Sequence, residues 1–111
     1  LDKESDIDKV TAISGSGPGY FFLFINMLEI AAMKLGFNSK TSRELVTQTA
    51  LGSILLLIKS GKKSKDLQNN ISIKGGTTEA AINYFNKNKI KKIINSALKV
   101  AYDRAKELSK N

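Results

Sequence analysis

Apolar residues recur at helical spacing along most of the chain, and two segments carry more of them than one helix face can hold. Between Pro18 and Leu35, one stripe is formed by Phe21, Phe24, Ile25, Leu28, Ala31, Ala32 and Leu35, and a second by Tyr20, Leu23, Met27 and Ile30. A helix this apolar on two sides is expected to be buried on two sides. Pro18 suits its first turn, and Gly36 follows as a stop.

The next predicted helix takes its N-cap from Ser39, or from Thr41 with Glu44 three residues on completing a capping box. It runs through Leu45, Val46, Ala50 and the unbroken apolar stretch Ile54 to Ile58, and ends before Gly61. Two such helices exceed what a small domain can cover with its own surface, so a partner subunit is expected. Lys65 to Ile71 fits a short helix. A further helix follows Gly75-Gly76 and extends to about Phe85, linked by Asn86-Lys87-Asn88 to a last helix carrying Ile90, Ile93, Ile94, Ala97, Leu98, Ala101, Ala105 and Leu108. At the other end, Leu1 to Asp8 reads as a frayed lead-in to a short helical turn around Ile7 to Ile13, broken by Ser14-Gly15-Ser16-Gly17-Pro18-Gly19. No period-2 strand pattern or repeat appears. The expected fold is all-α, a helical bundle that interlocks with a second subunit.

Composition narrows the chemistry. At 111 residues and 41% hydrophobic content, the chain suits one domain spanning residues 1–111. It has no cysteine and no histidine, which removes disulfides, thiolate nucleophiles, the usual zinc sites and the commonest general base. No metal site is expected. The net charge of +8 is concentrated in the second half, with 13 Lys/Arg against 4 Asp/Glu after residue 50. Nearly all of it is lysine, without the arginine forks and interleaved aromatics that base recognition prefers, so no nucleic-acid partner is expected. Tyr20 to Met33 is interrupted by Asn26 and Glu29 and falls short of the ~20 residues of a membrane helix. Leu1 to Asp8 is rich in acid and unlike a signal peptide. These features predict a cytoplasmic protein with no membrane span.

Two glycine-rich segments are candidates for function. In Gly75-Gly76-Thr77-Thr78-Glu79, two glycines ahead of a helix let a ligand approach the backbone. The first N–H groups, from about Gly76 to Thr78, would form an anion site with the hydroxyls of Thr77 and Thr78 beside it. An ordinary glycine turn with a threonine cap explains the same residues. The other segment, Gly15-x-Gly17-x-Gly19 after Val10 to Ile13, approaches a dinucleotide fingerprint and then departs from it. Tyr20 stands where spacing needs glycine, Pro18 falls where a free N–H is needed, and no acid follows near Lys40.

The order and spacing of these pieces resemble one family. Val10-Thr11-Ala12-Ile13-Ser14-Gly15-Ser16-Gly17-Pro18-Gly19-Tyr20 is similar to the segment that opens the C-terminal domain of pyrroline-5-carboxylate reductases. Lys34-Leu35-Gly36, Gln48-Thr49-Ala50-Leu51-Gly52, Gly75-Gly76-Thr77-Thr78 and Ala101 to Leu108 follow in the family's order. The resemblance implies a helical dimerisation and substrate-binding domain, whose N-terminal Rossmann domain is absent from this chain and would hold NADPH or NADH. It implies a homodimer, or a ring of dimers, acting on a small imino acid: the C=N bond of 1-pyrroline-5-carboxylate is reduced to give L-proline.

Carried over residue by residue, Gly75, Gly76, Thr77 and Thr78 bind the substrate carboxylate, and the Thr78 hydroxyl is the catalytic donor to the ring nitrogen. Ser14 and Gly15 lie near the nicotinamide. Ile73-Lys74 departs from the family's usual Ser-Pro, and Lys74 either meets the carboxylate or points into solvent; Gly19 replaces the usual alanine. The alternative is a non-catalytic helical dimerisation module of a related NADP-binding protein, which would need the apolar helices and not Thr78. Nothing in the sequence chooses between NADPH and NADH.

Overall fold

The computed structural model describes residues 4–110, and every regular element among them is helical. In chain order these are α1 (Glu4–Val10), a single π-helical turn (Thr11–Gly15), α2 (Gly17–Lys34), α3 (Ser39–Ser60), α4 (Ser64–Ile71), α5 (Thr77–Lys87) and α6 (Ile90–Ser109). The all-α expectation is met. Leu1, Asp2 and Lys3 of the expected lead-in lie outside the described residues.

The helix termini follow their residues. α2 closes with Gly36 at φ 116°, and the Phe37 N–H reaches back to the Ala32 carbonyl at 3.3 Å, a Schellman-type closure that glycine permits. α3 starts one residue earlier than predicted. Its cap is Asn38, whose side chain accepts from the Thr41 N–H at 2.8 Å, because an extended Asn38 backbone brings that short side chain over the first turn. Gly61, at φ 65°, ends it. α5 runs two residues past its predicted end and the link to α6 shrinks to Asn88-Lys89. Asn88 makes this possible by placing both its N–H and its Nδ2 on the Tyr84 carbonyl, at 3.1 and 2.8 Å.

The largest difference from expectation is at Ser14 and Gly15, where the predicted break after Ile13 is instead a continuation of helix, the end of the π-turn Thr11–Gly15. The Thr11 and Ser14 hydroxyls donate to the carbonyls of Ile7 and Val10, at 2.9 and 3.1 Å. The Ser16 N–H spans five residues to the Thr11 carbonyl at 2.9 Å, the signature of a π-turn. The segment thus stays helical until Ser16, with both hydroxyls folded back on the helix's own carbonyls, a bond that tends to bend a helix.

The described residues form two compact units. The first holds α1, the π-turn, the start of α2 to Phe21 and the chain from Asn83 onward; the second runs Phe22–Ile82. Within the first, α1, the π-turn and α6 pack on one another, and the small side chains of Ala12 and Ala105 are buried there. Asp8 is also buried, with its carboxylate accepting from the Ser109 hydroxyl at 3.4 Å. Within the second, Ser42 and Val46 of α3 are the buried residues, while large apolar side chains face outward, including Phe22 at 69% and Ile58 at 70% exposure. Among the described residues no helix is long and apolar enough to cross a membrane.

Candidate functional site

The segment between α4 and α5 is a chain of linked turns. α4 ends as the Ser72 N–H donates to the Gln68 carbonyl at 3.0 Å, and the Ile73 N–H then reaches the Ile71 carbonyl at 2.9 Å. Ser72, at φ −79° and ψ 73°, is the centre of this inverse γ-turn. A four-residue turn from Ile73 to Gly76 follows, closed by the Gly76 N–H on the Ile73 carbonyl at 2.9 Å.

Its third residue, Gly75, has φ 78°, whereas Lys74 at the second position has no positive φ. That is the type II pattern, which needs glycine third and favours proline second. Gly76 is favoured for a different reason: a Cβ there would stand 3.0 Å from the Ile73 carbonyl oxygen that closes the turn, closer than side chains ordinarily approach. Lys74 therefore occupies the one position of this turn where proline would pre-set the backbone.

α5 starts at Thr77, and its first intrahelical bond runs from the Ala80 N–H to the Gly76 carbonyl at 3.2 Å. The N–H groups of Thr77, Thr78 and Glu79 therefore have no acceptor within the helix. This shifts the predicted donor set by one residue, because the Gly76 N–H is already spent in the turn. The Gly75 N–H is also engaged, with the Glu79 carboxylate at 3.0 Å. Glu79 was not singled out by sequence, although an acid at the third position of a helix is the standard signal for such a reach-back; the usual partner, a serine or threonine at the cap, is glycine here.

What remains for a ligand is compact: the N–H donors of Thr77, Thr78 and Glu79 on the positive end of α5, and two threonine hydroxyls that make no hydrogen bond among the described residues. Thr78 is half-buried and Thr77 exposed. The Lys74 side chain is exposed and forms no ion pair among the described residues. The arrangement can hold a small carboxylate by its backbone and present a neutral hydroxyl beside it.

Ser14 and Gly15 belong to the first unit, while Gly75, Gly76, Thr77, Thr78 and Lys74 belong to the second. Ser14 is exposed, and its hydroxyl proton is committed to the Val10 carbonyl, leaving its lone pairs to accept. Val10 to Ile13 is helical, so the strand that a dinucleotide fingerprint requires is replaced by helix. The described residues thus offer no phosphate-binding loop at this segment.

The chain matches the family model described as pyrroline-5-carboxylate reductase dimerisation over residues 4–108. It belongs to that family. It is 41% identical over 109 residues to a pyrroline-5-carboxylate reductase of Pseudomonas aeruginosa, covering 98% of this chain and 40% of that protein. A pyrroline-5-carboxylate reductase of Vibrio alginolyticus is 36% identical over 111 residues, covering 99% of this chain and 41% of that protein.

Among solved structures, a pyrroline-5-carboxylate reductase from Coxiella burnetii matches with a TM-score of 0.91 at 36% identity, over 97% of this chain and 40% of that one. The Plasmodium falciparum pyrroline carboxylate reductase with NADP bound matches with a TM-score of 0.90 at 38% identity, over 95% of this chain and 40% of that one. The chain spans about 40% of the length of these relatives.

Proposed function

We propose that this chain is the dimer-forming and substrate-binding part of a cytoplasmic reductase that converts 1-pyrroline-5-carboxylate to L-proline with NADPH or NADH. The observation that carries the reading is the start of α5. Unsatisfied N–H groups at Thr77 and Thr78 stand next to an uncommitted Thr78 hydroxyl, in a family whose members P. aeruginosa and V. alginolyticus supply are pyrroline-5-carboxylate reductases.

The nicotinamide, when bound, supplies a hydride to the imine carbon, with its main binding site outside this chain. The tasks left to this chain are placement and polarisation. The Thr77 and Thr78 N–H groups hold the substrate carboxylate and so fix the ring. The Thr78 hydroxyl then donates to the ring nitrogen, where negative charge gathers as the C=N bond is reduced and where a proton must end. A donor fixed at that atom favours the transition state over the ground state. Ser14 and Gly15 lie at the nicotinamide end in this reading, with Ser14 able to accept.

The outward apolar residues of α2 and α3 support a homodimer, which can assemble further into a ring of dimers. Nicotinamide oxidation by the full-length protein, with Thr78→Ala beside wild type, tests the proposal. Wild-type turnover with a loss on the order of tenfold or more in the variant is expected. No wild-type turnover with either nucleotide would move the function to a non-catalytic dimerisation module.

A further inference from the structure

The turn that presents the proposed carboxylate site is built from residues that do little to hold themselves in place. Gly75 and Gly76 have the widest backbone freedom of any residue type, and Lys74 leaves φ unrestrained at the position where proline would restrain it. The Ile73 and Gly76 N–H bonds close the turn on itself or on the end of α4. The bond from the Gly75 N–H to the Glu79 carboxylate, 3.0 Å, differs from these: it ties the middle of the turn forward to the first turn of α5, the same helical turn that carries Thr77 and Thr78. It also withdraws the Gly75 donor, so that an incoming anion finds the backbone donors at the start of α5, those of Thr77 and Thr78 first.

We propose that Glu79 is a positioning residue for this site: its side-chain oxygen clamps the Gly75 N–H and so holds the Gly75-Gly76 turn in register with the Thr77 and Thr78 donors. In this role the Glu79 side chain acts through the turn, by its bond to the Gly75 N–H. The inference rests on the reading of this turn as a carboxylate site. The required property is a hydrogen-bond acceptor rather than a charge, because the partner is a neutral backbone amide. Glutamine, whose amide oxygen occupies the same place, therefore preserves the clamp, and alanine removes it.

The test uses the full-length protein with Glu79→Ala and Glu79→Gln. Amide hydrogen exchange without substrate reads the clamp directly: exchange at Gly75 is expected to rise on the order of fivefold in Glu79→Ala and to stay near wild type in Glu79→Gln. Steady-state kinetics reads the consequence. The KM for pyrroline-5-carboxylate is expected to rise on the order of fivefold in Glu79→Ala, with the KM for the nucleotide unchanged and Glu79→Gln restoring the wild-type value.

Unchanged Gly75 exchange in Glu79→Ala overturns the proposal, as does a Glu79→Gln variant that behaves like alanine. An inactive wild type whose Gly75 exchange responds as expected separates the failure of the reductase reading from that of the clamp.

Discussion

The Tyr20 phenol donates a 2.7 Å hydrogen bond to the Ala12 carbonyl, joining the first turn of α2 to the π-turn that precedes it. Ala12 is buried and Tyr20 half-buried, so water competes poorly for this bond. A carbonyl near the end of a helix lacks an intrahelical partner, and the side chain of a residue eight positions later provides one. Tyr20→Phe leaves the ring in place and removes only the donor. The expected cost is about 1 kcal/mol, read as a fall in the midpoint of denaturant unfolding with an unchanged m-value.

The two glycines of the α4 to α5 turn are expected to fail differently when replaced. Gly75→Ala puts a side chain on a backbone at φ 78°, a strain of roughly 1 to 2 kcal/mol. Gly76→Ala brings a Cβ to 3.0 Å from the Ile73 carbonyl oxygen and should push that oxygen back by a few tenths of an ångström, straining the hydrogen bond that closes the turn. Both variants should raise the KM for pyrroline-5-carboxylate. Gly75→Asn should recover part of the loss, since asparagine tolerates the left-handed region, whereas Gly76→Asn should not. Equal recovery at both positions would contradict these separate roles.

Lys74 stands beside the turn with its side chain exposed. If its ammonium meets the substrate carboxylate, Lys74→Ala raises KM with kcat nearly unchanged, the pattern of an interaction made equally in the ground and transition states. Lys74→Pro tests the backbone separately: proline fits the second position of a type II turn and should slow exchange of the turn amides. An unaltered KM in Lys74→Ala removes the lysine from the site.

Asp103 on α6 accepts from the Lys99 ammonium at 2.6 and 2.8 Å. Its carboxyl is held below the ordinary aspartate range, chiefly by that hydrogen bond; partial desolvation acts in the opposite sense, and the charges of Lys99 and Lys106 reinforce the lowering. A folded-state pKa below the unfolded one gives stability that is present above the unfolded value and is lost as pH falls through the folded value. A carboxyl titration of Asp103 by NMR should therefore show a depressed midpoint. Lys99→Met should raise that midpoint, and added salt should do so too, because the pair is solvent-exposed.

The second unit offers a test of assembly. Phe22 and Ile58 are both more than two-thirds exposed and stand among many other outward apolar side chains of α2 and α3, the kind of surface that marks a protein interface. Phe22→Asp and Ile58→Asp should each weaken self-association, seen as a lower mass by sedimentation or light scattering. A mass equal to wild type in both variants would place the interface elsewhere.

Much of this protein was legible in the sequence, because helices are local objects. Period-3.6 apolar spacing gave the positions of α2, α3, α4 and α6 closely, Gly36 and Gly61 gave two stops, and the excess of apolar residues on α2 and α3 announced surfaces the chain does not cover itself. The glycine pair before α5 and the threonines after it were visible for the same reason.

What only tertiary structure decided are relationships that depend on where backbone groups point. Ser14 and Gly15 look like the start of a helix break by composition and instead complete a π-turn, because the Ser16 N–H reaches five residues back to the Thr11 carbonyl. The donors left at α5 are the N–H groups of Thr77, Thr78 and Glu79 rather than those of Gly76 to Thr78, because the turn consumes the Gly76 N–H and the Glu79 carboxylate takes that of Gly75. Residue type tells which groups can bond; only the folded backbone decides which bonds are already made, and an anion site consists of the donors left over.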